Sequence, residues 1–361
     1  MGTPAVMNYF PVTISVHDET ETRGEMAALL QKVLLTDVVF DFQLLTGGKT
    51  NRVYVATSTS STSSDGPRPC LVRLFGQGSE GFLDRDRGLA VAHALSQQGL
   101  GPAVHARFAN GTVEEFVPSR TLEPNDISRP EVQARIAATL ARFHTANVAG
   151  PSPPEGFHAR EINRLAGLLV DRGKRPGGGS CSDMGEVDPL LRSLIDLVAP
   201  VLALTRTLGT AADMVLCHND LLAGNILECA APREGLLFID FEFTEYGHKY
   251  LDIGNHFTKY TGYTSDWSKY PSPEAQVNFL AAYGVERGSE AMASALRGCH
   301  VGSLASLLLW ALWAMAQAQS HDAATYAAGG GFNMRAYAMS QLGNLRAQLG
   351  LYRATYGPIE P

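Results

Sequence analysis

The sequence changes character close to Pro118, and this change constrains the fold more than any other feature. Before it, short runs rich in β-branched and aromatic residues, such as residues 52–57, alternate with turns, which is typical of strands. After it, apolar residues recur at helical spacing, as in residues 129–146. We therefore predict an α+β protein with an antiparallel-sheet lobe at residues 1–118 and a mainly helical lobe at residues 119–361.

Residues 148–182 interrupt the helical lobe. They are rich in proline and glycine and include three consecutive glycines at residues 177–179. Such a composition predicts a loop or a flexible insertion.

The composition narrows the class of protein. The chain has 361 residues, of which 45% are hydrophobic, and its net charge of −7 argues against a nucleic-acid partner. Its five scattered cysteines lack zinc-ligand spacing and indicate reduced thiols. The N-terminus lacks the basic and apolar regions of a secretory signal. The apolar run at residues 304–316 is too short for a membrane span. We expect a cytoplasmic protein.

Two short apolar strands are each followed by a polar segment. The first segment contains His218, Asp220 and Asn225, and the second contains Asp240. Phosphoryl transfer needs a carboxylate to receive the proton of the attacking hydroxyl, and oxygen ligands for Mg²⁺. Asp220 can be that base, and Asn225 and Asp240 offer oxygens that suit Mg²⁺. A single aspartate after a strand is more often a cap or turn residue, but the combination predicts a kinase-type site, with His218 bracing the loop.

Two features of the N-terminal lobe fit the same chemistry. Gly47 and Gly48 lie between two predicted strands, where glycines let backbone amides approach phosphate, and Thr50 or Asn51 can hydrogen-bond it. A Gly-Gly turn alone is usually just a hairpin. Arg73 is a cation inside an apolar strand, and is either a solvent-facing edge residue or the cation that holds the ATP phosphates.

Together these segments resemble the choline/ethanolamine kinases, from about Val12 to Tyr337. The strongest matches are CHNDLLAGNI, FIDFEF, LDIGNHF and LLLWALWAMAQA, supported by GGKTNRVY, LVRLFG, LGPAV and EEFVPSRTLEP. Aminoglycoside kinases share the base and the metal ligands but lack the DIGNHF and LWALW segments. The resemblance implies a bilobal protein-kinase-like fold, ATP as co-substrate, Mg²⁺ as cofactor and a small amino alcohol as acceptor. Its members are often dimers, so a homodimer is an expectation for this chain.

The resemblance also implies roles for single residues. It makes Asp220 the catalytic base and Asn225 and Asp240 the magnesium ligands. The residues implied to bind ATP are Gly47, Gly48, Thr50, Asn51 and Arg73, with Glu115 and Val117 in the adenine-contacting hinge. The residues implied to line the acceptor site are Asp220, Phe243, Asp252, Trp310, Trp313 and Tyr337, with Asn255 and His256 behind them. An alkylammonium over an indole face gains about 0.5–2 kcal/mol, although without the resemblance the spacing of the two tryptophans favours plain helix core.

The chain departs from the family in the N-terminal lobe. Kinases of this kind usually carry a helix glutamate that pairs with the phosphate-binding cation, and Gly88 stands at that position here. Glu80, Asp84 or Asp86 could replace it.

A second departure lies on the acceptor side. Lys259 stands where the family usually has an acid, and it should repel a substrate cation unless its side chain points to solvent. Phe241 and Phe243 stand where tyrosines are common, which removes hydroxyls from the pocket.

Three functions are compatible with these features. The segments FLDRDR and VTISVHDETE resemble the ethanolamine branch, which predicts synthesis of phosphoethanolamine for phospholipids, whereas VPSRTLE resembles choline kinases and leaves choline or dual specificity open. Gly88 and Lys259 would also fit a kinase-like protein that binds without catalysing, but Asp220, Asn225 and Asp240 are all present.

Overall fold

The computed structural model of the chain describes residues 7–45, 51–59, 67–76, 84–149, 155–173, 188–209, 213–231, 233–319 and 332–359. The chain forms two compact units, the first from Met1–Arg120 and Glu228–Glu242 and the second from Thr121–Leu227 and Phe243–Pro361. The first boundary lies two residues from the predicted one. The segment Glu228–Glu242, which the sequence boundary assigned to the helical lobe, groups with the first unit instead.

The first unit is built on a six-stranded sheet with the order β1-β5-β6-β4-β3-β2. All neighbouring strands are antiparallel except β1 and β5, which are parallel. The strands are β1 (Tyr9–Phe10), β2 (Phe40–Leu45), β3 (Asn51–Ser58), β4 (Cys70–Phe75), β5 (Val104–Phe108) and β6 (Gly111–Glu115). Two helices accompany them, α1 (Glu19–Leu34) and α2 (Arg85–Gln97).

The sheet buries one face through the two-residue alternation of its strands. In β4, Cys70, Val72 and Leu74 are buried, and they pack with Tyr54 of β3 and Val113 of β6 in one apolar cluster. Residues between these positions therefore point to the other face of the sheet.

Five short strands complete the sheets. They are β7 (Ser119–Thr121), β8 (Met214–Cys217), β9 (Ile226–Cys229), β10 (Gly235–Phe238) and β11 (Glu245–His248). They form a three-stranded sheet with the order β10-β9-β7 and the antiparallel pair β8-β11. The pair sets Cys217 at the end of β8 opposite Glu245 at the start of β11, so the loop after β8 begins beside the segment that precedes β11.

The second unit is mainly helical. Its helices are α3 (Pro130–Phe143), α4 (Gly156–Gly173), α5 (Pro189–Ile195), α6 (Val198–Arg206), α7 (Lys249–Lys259), α8 (Pro273–Tyr283), α9 (Glu290–Ala318) and α10 (Met334–Tyr356), with short 3₁₀ turns at Ala223–Asn225 and Trp267–Lys269. The predicted α+β class, with a largely antiparallel sheet followed by a helical region, is confirmed.

The prediction of a loop over residues 148–182 is wrong in its central part. Gly156–Gly173 is helix α4, and its Ile162, Leu165 and Leu169 are buried at helical spacing. The prolines and glycines that suggested a loop lie mainly on either side of this helix. Residues 150–154 and 174–182 lie outside the described part of the chain.

Helix α9 is the central element of the second unit. Every residue from Val301 to Leu312 is buried, because α4, α6, α7 and α10 all pack against this helix. The run of 13 apolar residues thus belongs to a helix of 29 residues. That helix is long and apolar enough to cross a bilayer, but 89% of its most apolar window is buried inside the protein, as in a core helix.

Close contact between α7 and α9 depends on glycine. A Cβ on Gly254 would lie 2.2 Å from the carbonyl oxygen of Cys299, and one on Gly302 would lie 2.4 Å from that of Tyr250. These distances are far below any real carbon–oxygen contact, so only glycine lets the two backbones approach this closely. The two helices carry most of the candidate site of this unit.

Candidate active site

The loop that follows β8 carries Asp220. Asn219 adopts a left-handed backbone conformation, with φ of 63°, which turns the chain sharply between His218 and Asp220. The side-chain nitrogen of Asn225 donates to the carbonyl oxygen of Asp220 at 2.8 Å, and thereby closes the short turn that follows. Asp220 and Asn225, which the sequence placed five residues apart, therefore sit in one compact loop.

The buried carboxylate of Asp252, on α7, is hydrogen-bonded to the backbone of this loop. It accepts hydrogen bonds from the backbone N–H groups of His218 and Asn219, each at 2.8 Å. His144 Nε2 lies 3.0 Å from the same carboxylate, and His144 Nδ1 lies 2.6 Å from the hydroxyl of Tyr283. Asp252 thus positions the loop.

Asp252 remains ionised in this environment. Burial acts to raise its pKa, but the hydrogen bond and charge of His144, together with His218, outweigh burial and lower the pKa to about 2. His218 braces the loop as predicted, since its backbone donates to Asp252 and its Nδ1 lies 3.4 Å from the backbone nitrogen of Asp220.

Asn255 and His256 hold the other side of the loop. The Asn255 amide nitrogen donates to the carbonyl oxygen of Asn219 at 2.5 Å, and its oxygen accepts from the hydroxyl of Ser306 and from the indole nitrogen of Trp310. His256 Nδ1 lies 2.7 Å from the carbonyl oxygen of Leu221, so this nitrogen carries the proton. Burial lowers the pKa of His256 to about 4, which keeps the ring neutral.

Lys259 does not point to solvent. Its ammonium lies 2.7 Å from Oδ1 of Asp220 and 4.0 Å from the centre of the Trp310 ring. The side chains of Lys259 and Asp220 are only 13% and 15% exposed. The alternative in which this side chain points to solvent is therefore wrong.

Three of the four aromatic residues that the resemblance implied at the acceptor site, Phe243, Trp310 and Trp313, contact one another through Trp310. Phe243 and Trp313 both meet Trp310 edge-on, with centroid distances of 5.4 Å and 5.6 Å. Burial and, to a smaller extent, the charge of Asp220 raise the pKa of Tyr337, and its ring contacts that of Phe332 with a centroid distance of 5.1 Å. Trp310 packs in the core, where its indole nitrogen donates to Asn255, and its ring also contacts the ammonium of Lys259.

In the first unit, the partner of Arg73 is an acid that the sequence did not suggest. Arg73 donates to Glu114 through Nε at 3.0 Å and Nη2 at 3.2 Å, and the hydroxyl of Thr112 donates to the same carboxylate. Arg73 faces Thr112 across the β4–β6 pair, so Glu114 is its diagonal neighbour on one face of the sheet. This two-residue alternation was the signal that could have identified Glu114.

The acids proposed to replace the helix glutamate have other partners. Asp84 caps the N-terminus of α2 by accepting from the backbone of Arg87, and Asp86 pairs with Arg107 at 2.5 Å. Glu80 lies outside the described residues. A Cβ on Gly88 would lie 3.5 Å from the backbone of Glu242.

Asp240 also belongs to the first unit. It has φ of 68°, a left-handed conformation unusual for a non-glycine residue. The pKa of Arg73 is raised, first by Glu114 and further by the charges of Asp240 and Glu242. Arg73 is therefore a permanent cation within an acidic surrounding.

The other predicted ATP-binding residues are only partly described. Gly47, Gly48 and Thr50 lie outside the described residues, whereas the side-chain oxygen of Asn51 accepts from the backbone of Gly76 at 3.3 Å. The backbone N–H of Glu115 donates to Ala103, and the carbonyl oxygen of Val117 accepts from Ser119. These contacts fix the segment from Glu115 to Val117 in which the hinge was predicted.

Both units contain side chains with atoms that could bind a metal ion. In the second unit, the Asn225 nitrogen donates to Asp220, so its amide oxygen is the atom that could bind a cation. In the first unit, Asp240 offers carboxylate oxygens, and both kinds of oxygen suit Mg²⁺. His144, Cys217 and Asp252 also cluster closely. There, burial raises the pKa of the Cys217 thiol, and Asp252 already accepts three hydrogen bonds, so this cluster is a hydrogen-bonded core.

Comparison with known proteins identifies the family. Residues 42–345 match the family described as choline/ethanolamine kinase. A probable ethanolamine kinase of Arabidopsis thaliana is 32% identical over 295 residues, covering 79% of this chain and 75% of that protein. Choline kinase alpha of Mus musculus is 28% identical, covering 78% of this chain and 70% of that protein.

A solved structure confirms the fold. The ethanolamine kinase of Plasmodium vivax superimposes with a TM-score of 0.75 at 24% identity, covering 92% of this chain and 91% of that one. The chain belongs to the choline/ethanolamine kinase family, as the sequence motifs predicted, and is a phosphotransferase that acts on an alcohol.

Proposed function

We propose that the enzyme transfers the γ-phosphoryl group of ATP to the hydroxyl of ethanolamine, with Asp220 as the base. The hydroxyl oxygen forms a bond to the γ-phosphorus as the bond from that phosphorus to the bridging oxygen of ATP breaks. The hydroxyl proton passes to the Asp220 carboxylate, and ADP and phosphoethanolamine leave.

The observation that carries this proposal is the rigid support of the Asp220 loop. Asp252, Asn255 and Asn225 each bond to a backbone atom of the loop. A reacting carboxylate must be held in a narrow range of positions, since a misplacement of about 1 Å can cost about 100-fold in rate. Such support behind one part-buried carboxylate is what a general base requires.

Mg²⁺ would be held by the amide oxygen of Asn225 and the carboxylate of Asp240. When bound, the ion neutralises charge on the phosphates during transfer. Arg73 supports the ATP phosphates as a cation that stays protonated, and Glu114 fixes the direction of its guanidinium through two hydrogen bonds. Gly47 and Gly48, which lie outside the described residues, are proposed to bind the phosphates through their backbone amides.

Ethanolamine is favoured over choline as the acceptor. Probable ethanolamine kinases of Arabidopsis thaliana and Dictyostelium discoideum are 32% and 31% identical to this chain, against 31% and 29% for two probable choline kinases of Arabidopsis thaliana. These values are close, so choline or dual specificity is the second candidate. The DRD triplet at residues 84–86 adds weight to ethanolamine.

The product would serve phospholipid synthesis inside the cell. Cys70, Cys217 and Cys299 are buried free thiols, which fits a reducing compartment.

A substrate panel tests the proposal. Purified enzyme with ATP and Mg²⁺ is assayed against ethanolamine, its mono- and dimethylated forms, and choline, with ADP release and phosphorylated product both measured. The expected result is the highest kcat/KM for ethanolamine. A higher value for choline would support the second candidate. Nucleotide binding without turnover of any acceptor would support a kinase-like binding protein and overturn the proposal.

A further inference from the structure

Lys259 occupies the contacts that an alkylammonium acceptor would use. Its ammonium lies on the face of Trp310, 4.0 Å from the ring centre, and pairs with Asp220 at 2.7 Å. An aromatic face together with a nearby carboxylate is the usual environment for binding an organic cation in proteins. Here a side chain of the protein itself supplies the cation.

The position of this ammonium is well fixed by its surroundings. Lys259 is the last residue of α7, where the preceding residues from Leu251 to Thr258 are buried, and a cation at a helix C-terminus is favoured by the helix dipole. The ring of Trp310 is held by a hydrogen bond to Asn255 and by the edge-on contact with Phe243.

A second cation at this place would meet two costs. It would have to displace the ammonium of Lys259 from Trp310 and Asp220, or else lie beside a like charge in a site that is largely shielded from water. A quaternary ammonium bears its charge permanently, so it cannot avoid this repulsion. A primary amine can release its proton and bind as the neutral base.

The pairing with Lys259 does not prevent catalysis by Asp220. Lys259 contacts Oδ1, and a carboxylate has a second oxygen that can accept the proton of the acceptor hydroxyl. An effect of the lysine on the base would apply to every acceptor alike, so it would not change the ratio between two acceptors.

We propose that Lys259 is a specificity-determining residue that excludes quaternary ammonium alcohols and selects acceptors with a primary amine. This inference rests on the proposed phosphorylation of amino alcohols by the same site. Ethanolamine kinases and choline kinases are both similar to this chain, so membership of the family does not determine which acceptor is preferred. Lys259 would be the structural cause of that preference.

Substitution of Lys259 tests the inference. Lys259→Met keeps the length of the side chain and removes its charge, Lys259→Gln is a second neutral variant, and Lys259→Arg keeps the charge. Lys269→Met, at an exposed position of the same unit, is the matched control. Each variant is compared with the wild type by thermal unfolding and by kcat/KM for ethanolamine and for choline.

The ratio of the two kcat/KM values is the decisive readout. In both neutral variants the choline-to-ethanolamine ratio should rise by about tenfold or more, or about 1.4 kcal/mol, whereas Lys259→Arg and Lys269→Met should retain the wild-type ratio. A purely structural role would lower both values together and leave the ratio unchanged. A ratio within about twofold of wild type in folded Lys259→Met and Lys259→Gln would overturn the inference.

The failure of this inference can be told from the failure of the proposed function. If neither the wild type nor any variant phosphorylates an amino alcohol, the proposed function fails, and the role assigned to Lys259 fails with it. If the wild type phosphorylates ethanolamine and the neutral variants do not change the ratio, only the role of Lys259 is refuted.

Discussion

Asp252→Asn is the most informative single change in the support of the Asp220 loop. Oδ1 of Asp252 accepts from the backbone of Asn219, while Oδ2 accepts from the backbone of His218 and lies within hydrogen-bonding distance of His144. An asparagine offers one oxygen and one NH₂ group, which cannot accept. If the asparagine oxygen takes the place of Oδ2, the contacts with His218 and His144 are kept and only the hydrogen bond from the backbone of Asn219 is lost. A buried hydrogen bond to a charged group contributes about 1.5–3 kcal/mol.

The lowered pKa of Asp252 gives a second way to judge how much this carboxylate contributes to the free energy of unfolding. A carboxyl with a pKa of about 2 in the folded protein and an ordinary pKa when unfolded contributes about 2–3 kcal/mol to stability at neutral pH. Because the folded pKa is the lower one, this contribution is fully present above about pH 5 and is lost as the pH falls towards 2. The stability difference between wild type and Asp252→Asn should therefore be largest at neutral pH and shrink on acidification.

Unfolding and steady-state kinetics measure the two consequences. At pH 7 the Tm of Asp252→Asn should fall by about 5 °C or more, and kcat should fall on the order of 100-fold because Asp220 is displaced. The KM for ATP should change little. Asp196→Asn, an exposed aspartate in the same unit, should match the wild type. If Asp252→Asn kept the wild-type Tm and kcat, the proposed support of the loop would be refuted.

Two further changes test other parts of the molecule. Glu114→Gln removes the charge that orients Arg73, so the KM for ATP should rise about fivefold or more while the KM for the acceptor stays constant; an unchanged KM for ATP would contradict the role of this pair. Gly254→Ala places a Cβ against the carbonyl oxygen of Cys299 and should cost about 1–3 kcal/mol, seen as a lower Tm, whereas Gly343→Ala, in α10 with open space around it, should be neutral or stabilising. Equal Tm values for the two alanine variants would argue against the close packing of α7 and α9.

Local sequence patterns predicted much of the fold. Strand and helix positions in the first unit followed from alternation and from turn residues, and the sheet order then follows from their pairing. Helix α4 was missed because the prolines and glycines on either side of it outweighed the periodicity of Ile162, Leu165 and Leu169. The grouping of Glu228–Glu242 with the first unit depends on contacts distant in sequence, which no local pattern contains.

The sequence predicted which residue types the candidate site contains more fully than it predicted which residues pair with one another. Asp220 and Asn225 follow from the spacing that phosphoryl transfer requires. The pair of Arg73 and Glu114 was missed because the expected partner was sought on a helix, whereas the observed one lies across two strands. Lys259 was recognised as a departure, but its direction towards Trp310 follows only from packing in three dimensions.

Replacement of Asp220 tests the central claim most directly. Asp220→Asn keeps the shape of the side chain, and the double variant with Lys259→Met removes the cation that would otherwise be left without its partner. We expect kcat to fall about 10²- to 10⁴-fold in both variants, with an unchanged dissociation constant for ATP and a Tm near that of the wild type. Turnover close to the wild-type rate in either folded variant would contradict the assignment of Asp220 as the base.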